Sequence, residues 1–159
     1  MTTAGERLRQ RAHAARARLH GIPATGRGEY GAPDPATGER WNRGHVLGHV
    51  AEMLAFWTDQ SRAAAGGQAM VGRGEPGYAQ RQAGIERGAM VEEAELRAAI
   101  DRSLDDLDRL LAEMPAGALE TRLVYRRKDG DRNLTLAEFV DQFLVGHFEE
   151  HLSQLEALT

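Results

Sequence analysis

The chain has 159 residues, of which 42% are hydrophobic and 28% charged, as in a soluble globular protein with a single domain over residues 1–159. The formal net charge of −4 does not favour nucleic acid as a partner, and the absence of cysteine excludes disulfides, thiolate metal ligands and a cysteine nucleophile. No apolar run approaches the roughly 20 residues that cross a bilayer, and no signal-peptide core follows Met1, so we expect a cytoplasmic protein without a membrane partner.

The first two predicted helices are separated by a segment rich in turn formers. Residues 3–20 show helical spacing of apolar residues, and their arginines are expected to form a basic helix face, not a nucleic-acid-binding arm. Residues 21–40 are predicted to be a loop. The second helix is expected to begin after Asn42, a good N-cap residue, and to end near Ala65. The predicted apolar stripes are Leu8, Ala12, Ala15 and Leu19 in the first helix, and Val46, Val50, Met53 and Trp57 in the second.

The middle of the chain predicts a third helix between two further loops. Residues 66–88 are rich in glycine and are expected to be a long loop, and residues 115–133 another, with a short extended piece at 122–126. The third helix is predicted over residues 91–114, and its acidic outer face is expected to be solvated. Its apolar stripe is Leu96, Ile100, Leu104, Leu107, Leu111 and Met114, and its acidic face is Asp101, Asp105, Asp106 and Asp108.

The fourth predicted helix has the clearest start. Thr135 and Glu138 form a T-x-x-E capping box, and Leu134 with Phe139 forms a hydrophobic staple. The predicted inner stripe is Leu136, Val140, Phe143, Leu144 and Leu158. With no convincing strand pattern, the sequence predicts an all-α fold, a four-helix bundle with long loops after helices 1, 2 and 3.

Four of the six histidines form two pairs spaced by four residues, which places each pair on one face of a helix. His147 and His151 point at the centre of the predicted buried stripe, where unpaired imidazoles are costly unless they bind a metal or hydrogen-bond to the backbone. On the second helix, His49 points inward, and His45 lies closer to the polar side. The sequence therefore predicts a divalent-metal site at His49, His147 and His151 with open coordination positions.

Other metal motifs fit less well. Phe148 occupies the position where a di-iron site or a zincin needs glutamate, so both patterns fail. His147, Glu150 and His151 do match H-x-x-E-H, but too few residues follow for the further glutamate ligand of that class. Glu150 is either a partner of a histidine or a surface carboxylate, and Glu149 is expected to be solvated.

Two segments resemble a known family. ERWNRGHVLGHVAEMLAFW, residues 39–57, and LTLAEFVDQFLVGHFEEHLSQLEAL, residues 134–158, resemble the DinB-like superfamily, which also contains the metal-binding N-terminal domain of mycothiol-dependent maleylpyruvate isomerase. The resemblance implies up-down-down-up topology, a zinc or nickel ion held by His49, His147 and His151, and often a homodimer. It also implies, for some members, work with thiols such as mycothiol. Isomerase relatives carry an additional C-terminal domain that these 159 residues lack, so maleylpyruvate isomerisation itself is not expected.

Three functional hypotheses follow. The first is a metal-dependent transferase that uses an external low-molecular-weight thiol on a small-molecule substrate, with Arg73 and Arg81 either holding substrate carboxylates or lying solvated in a loop. The second is a metal-activated hydrolase whose general base is Glu150 or Glu52. The third is a non-enzymatic metal-binding or dimerising module. Trp57 and Tyr78 are candidates for the lining of the pocket.

Overall fold

The structure, a computed structural model, describes residues 1–159 and is mostly helical. In chain order its elements are α1 (Ala4–Gly21), α2 (Arg43–Ala65), β1 (Met70–Gly72), α3 (Glu75–Gly88), α4 (Glu93–Glu113), β2 (Arg122–Arg126), β3 (Arg132–Thr135), α5 (Leu136–Phe139) and α6 (Gly146–Ala157). A π-helical segment, Val140–Val145, joins α5 to α6 without a break. None of the helices is both long and apolar enough to cross a membrane.

Local hydrogen bonding sets the starts of the helices as predicted. The side chain of Asn42 accepts the N–H of His45, and Nδ1 of His45 accepts the N–H of Asn42, both at 3.1 Å, so α2 begins at Arg43. Thr135 and Glu138 form the predicted reciprocal box at the start of α5, at 3.1 and 2.8 Å. These bonds satisfy N–H groups that a helix start otherwise leaves unpaired.

The predicted apolar stripes of the three longest helices form much of a core of 28 buried hydrophobic residues. Every predicted stripe residue of α1 and α2 is buried, and so are Leu96, Ile100, Leu104, Leu107 and Leu111 in α4. Met114 is only partly buried, because α4 ends one residue before it. The helical periodicity of the sequence therefore identified this part of the core correctly.

The prediction that residues 66–88 form a loop is wrong, because this segment contains β1 and α3. Its glycines permit unusually close packing of two helices. A Cβ at Gly44 of α2 would lie 2.5 Å from the carbonyl oxygen of Gly88 in α3, a distance that real Cβ atoms essentially never show. Gly48 and Gly84 face each other in the same way one turn along. Pro76 occupies the first turn of α3, where its missing N–H costs nothing.

A small three-stranded sheet is present where the sequence indicated no strand pattern beyond the extended piece at 122–126. That piece is β2, which pairs in parallel with β1 through Val71↔Tyr125 and antiparallel with β3 through Leu123↔Leu134. Strands of three and four residues are too short to show alternation. The sheet places Tyr125 beside the helices.

The acidic outer face of α4 is not simply solvated, since its carboxylates pair with arginines of α1 and α2. The pairs are Arg9–Asp108 at 2.8 Å, Arg16–Asp101 at 3.0 Å, Arg16–Asp105 at 2.6 Å and Arg62–Asp106 at 2.7 Å. The arginines of α1 thus form a helix face, as predicted, and this face lies against acidic side chains. Such partly exposed pairs each contribute little to stability, because solvent screens the charges.

Candidate metal centre

Three histidines from two distant segments converge at one point. Nε2 of His147 lies 2.8 Å from Nε2 of His151 and 3.4 Å from Nε2 of His49. One ligand atom from each residue can be chosen so that all lie within 4.8 Å of one another. His45 is not part of this group, because its Nδ1 is engaged in the cap of α2. The structure therefore brings together the same three histidines that the sequence singled out.

The π-helical segment determines how α6 presents its two histidines. The N–H of Gly146 donates to the carbonyl of Asp141, five residues earlier, and a Cβ at Gly146 would lie 2.7 Å from that oxygen. Such a turn holds more residues than an α-helical turn and rotates everything that follows it. The buried stripe of α6 consists of Phe148, Leu152 and Leu155. The prediction that His147 and His151 lie at the centre of the stripe is therefore wrong. They lie at its edge, partly buried and facing a cavity.

Two neighbouring side chains hold the imidazoles in place. Nδ1 of His151 lies 2.9 Å from the side-chain oxygen of Gln154, and this acceptor favours the tautomer with the proton on Nδ1 and a free lone pair on Nε2. The indole of Trp41 stacks on His151, with centroids 6.0 Å apart and planes at 24°, and lies 5.2 Å from His49. Nδ1 of His49 is buried without a hydrogen-bond partner.

The surroundings keep all three imidazoles neutral at pH 7. Burial, together with the charges of Arg81 and Arg73, lowers the pKa of His147 to about 4. Burial, together with the neighbouring His147, lowers the pKa of His151 to about 4. The pKa of His49 is lowered by burial and then by the other two histidines. Neutral imidazole is the form that binds a metal ion.

The donor set suits a divalent transition metal. Three nitrogens at the Zn–N bond length of a tetrahedral site lie about 3.3 Å from one another, close to the 3.4 Å between His49 and His147. The gap of 2.8 Å between His147 and His151 is shorter, so these rings would separate slightly around an ion. The group has three ligand residues and no fourth, which leaves coordination positions for an external molecule.

The three histidines line a cavity of about 680 Å³, large enough for a small-molecule ligand. Trp57 and Tyr78, both candidates from the sequence, are among its lining residues. The loop before α2 supplies one rim through Pro33, Asp34 and neighbouring residues.

The two candidate arginines both line this cavity but differ in availability. Arg73 is buried and donates to the carboxylate of Glu52 at 2.5 Å and to the carbonyl of Gly77 at 2.8 Å. Its guanidinium also lies 4.1 Å from the ring centroid of Phe56. Arg81 has no carboxylate within 4.0 Å, and its guanidinium lies 5.7 Å from the ring centroid of Trp41. Arg81 is therefore free to hold an anionic group, whereas Arg73 is already engaged.

The two candidate carboxylates differ in their access to the cavity. Glu150 lines the cavity beside His151 and forms no ion pair. Glu52 does not line it, because its side chain, 8% exposed, pairs with Arg73 inside the wall. Of the two, only Glu150 is placed to exchange a proton with a molecule in the cavity.

Sequence reasoning missed several residues of this cavity. The position of Gln154, one turn beyond His151, is a local signal that could have identified it as a partner of that imidazole. Trp41 directly precedes the N-cap of α2, and its contact with His49 had no counterpart in the sequence pattern. Tyr125, Arg127 and Phe143 reach the cavity through the pairing of the strands and the π-helical segment, and neither feature was predicted from the sequence.

Comparisons with known proteins identify the family and the fold of the chain. The family model described as the DinB superfamily matches residues 2–155. Among solved structures, the crystal structure of the mycothiol-dependent maleylpyruvate isomerase is similar with a TM-score of 0.67 and 18% identity over 99% of this chain and 62% of that one. A histidine-to-alanine mutant of that enzyme gives a TM-score of 0.66 at the same identity and coverage. No curated protein matches the chain. The chain thus spans 62% of the isomerase's length, and at 18% identity the likeness concerns the fold.

Proposed function

This chain belongs to the DinB superfamily, and we propose that it binds a divalent metal, zinc or nickel, through His49, His147 and His151 and acts with a low-molecular-weight thiol on a small electrophilic molecule. The observation that carries the proposal is the convergence of three neutral imidazole nitrogens at the wall of an open cavity. The thiol is proposed because a structural neighbour is mycothiol-dependent and because this chain has no cysteine of its own. We further propose that residues 1–159 act as one domain and as a homodimer.

In this proposal, each group of the cavity has a separate task. When bound, the metal ion lowers the pKa of a thiol that reaches its open positions. The carboxylate of Glu150 accepts the thiol proton, since it lies beside His151 and is not engaged by any cation. The guanidinium of Arg81 binds a carboxylate of the substrate and orients it. Gln154 holds the ring of His151, and Trp41 covers His49 and His151 on one side.

Metal content is the first test. We expect the purified protein to contain about one zinc or nickel ion per chain by elemental analysis, and His147→Ala to lose it. His20→Ala is the matched control, because this exposed histidine lies beside Asp101 on the surface, away from the cavity. Equal metal content in both variants would contradict the assignment of the ligands.

Thiol transfer is the second test. The metal-loaded protein is incubated with mycothiol and monochlorobimane, and formation of the conjugate is followed by fluorescence. We expect conjugation above the rate of the metal-free protein and a loss of this excess in His147→Ala. A rate no higher than that of the metal-free control would count strongly against the transferase.

A metal-activated hydrolase is the second candidate, and the free carboxylate of Glu150 favours it. The same carboxylate can take a proton from water instead of from a thiol. Hydrolysis of an activated ester by the metal-loaded protein is compared with that of Glu150→Gln, with Glu149→Gln as the neighbouring control. Unchanged hydrolysis in Glu150→Gln would remove this role.

A further inference from the structure

The lining of the cavity includes two groups of mutually contacting side chains. One is the three histidines, and the other is Tyr125, Arg127 and Phe143, which we call the distal corner. No ring–ring or cation–π contact joins the distal corner to the three imidazoles. A ligand that fills the cavity therefore meets a second group of recognition residues besides the imidazoles.

The distal corner presents aromatic rings to the cavity. Tyr125 and Phe143 are partly exposed, with ring centroids 4.7 Å apart and planes at 69°. Buried rings fix them from behind, because Tyr125 lies 5.6 Å from Trp57 and 5.2 Å from Phe139. Fixed, partly exposed rings favour a planar aromatic ligand, which gains both apolar burial and ring contacts.

The same corner offers hydrogen-bond donors for an anion. The guanidinium of Arg127 lies 5.6 Å from the centroid of Tyr125 and 5.5 Å from that of Phe143. Its carboxylate partner, Asp129 at 3.2 Å, is 73% exposed, and such pairs are too weak to exclude a competing ligand. The hydroxyl of Tyr125 makes no hydrogen bond within the protein. Burial raises its pKa, so the hydroxyl stays protonated and can donate.

We propose that the distal corner binds an aromatic carboxylate, with the ring against Tyr125 and Phe143 and the carboxylate on Arg127 and the Tyr125 hydroxyl. This deepens the proposed function by naming the substrate class, and it rests on that function for its chemical purpose. The binding itself involves none of the three histidines. It can therefore be measured in protein that holds no metal.

Benzoate is the probe for this site. It is titrated into the chelator-treated protein, and tryptophan fluorescence reports binding, because Trp41 and Trp57, the two tryptophans of the chain, both line the cavity. We expect a saturable signal that benzamide and cyclohexanecarboxylate reproduce only at higher concentration. Losing the charge-assisted bonds in Arg127→Gln is expected to weaken benzoate binding by about tenfold or more.

Arg132→Gln is the matched control. Its guanidinium also lies near Phe143, at 5.3 Å from the centroid, but it does not line the cavity, so benzoate binding is expected to be unchanged. The absence of saturable binding, equal weakening in both variants, or weakening by Arg81→Gln instead of Arg127→Gln would overturn the assignment. Equal affinity for benzoate and cyclohexanecarboxylate would overturn the aromatic part.

The benzoate titration tests the distal corner independently of metal binding. If the protein proves not to bind zinc or nickel, benzoate binding by the metal-free protein and by His147→Ala still tests the distal corner. If benzoate does not bind, the metal content and thiol transfer measured above are unaffected, and only the substrate class fails.

Discussion

Acidification of the metal-free protein is expected to weaken the fold through the three imidazoles of the candidate metal centre. Burial lowers the pKa of His147 and His151 in the folded state from 6.5 to about 4. Between these two pH values the unfolded chain binds protons that the folded chain rejects, so the free energy of unfolding falls as the pH falls. The stability is fully present above pH 6.5 and is lost progressively towards pH 4.

The size of the effect follows from the pKa values. Each pH unit within this window costs about 1.4 kcal/mol for every excluded proton. Between pH 7.5 and pH 5, His147 and His151 each remove about 2 kcal/mol, and His49, whose pKa is lowered further, removes a similar amount. The carboxylates of an unfolded chain titrate mostly below this range, so the histidines dominate the loss.

Urea denaturation, followed by circular dichroism at several pH values between 7.5 and 5, measures this loss after removal of metal. His147→Gln should show a loss smaller by about 2 kcal/mol than the unmodified protein, since one excluded proton is gone. His20→Ala serves as the surface control. Identical pH dependence of the unmodified protein and His147→Gln would refute the reasoning, because it would mean that this imidazole titrates alike in the folded and unfolded chain.

Three further predictions concern the metal and the helix packing. Metal affinity, measured by Co²⁺ absorbance, should change less than about tenfold between pH 7 and pH 5, because the imidazoles are already neutral; a steep loss near pH 6.5 would contradict this. Gln154→Leu should weaken metal binding by about tenfold or more, because His151 loses the partner that orients it. The far-ultraviolet circular dichroism spectrum should stay the same. Unchanged metal affinity would argue against this role of Gln154. Gly88→Ala should lower the free energy of unfolding by more than about 2 kcal/mol, because the added Cβ overlaps the carbonyl of Gly44. Gly21→Ala, with open space around it, should have little effect. Similar urea midpoints for the two variants would contradict the close contact.

The parts of the fold that depend on local chemistry were predictable. Asn42 and Thr135 indicate helix starts because their side chains accept hydrogen bonds from backbone N–H groups three residues later. The choice of His49 over His45 followed from the angle between residues on one helix, and the structure places these two side chains as expected. Interactions between residues a few positions apart can be predicted from a single segment of the sequence.

The parts that depend on distant contacts were not predictable. Gly84 and Gly88 look like helix breakers until their packing against α2 is known. The sheet joins residues more than fifty positions apart, as in Met70↔Val124. The π-helical segment leaves the four-residue spacing of apolar positions intact, and so its rotation of His147 could not be read from the pattern. The engagement of Arg73 by Glu52 likewise requires the three-dimensional structure.

The contact between α2 and α3 limits how the cavity can open. His49 belongs to α2 and Arg81 to α3, and main-chain atoms of these helices come into direct contact at Gly44, Gly48 and Gly88. A layer of side chains can repack and let two helices slide, but main-chain atoms in contact have no alternative arrangement. We therefore expect these two walls to move together, and any opening of the cavity to occur at the remaining rim, at the loop before α2 and the end of β2.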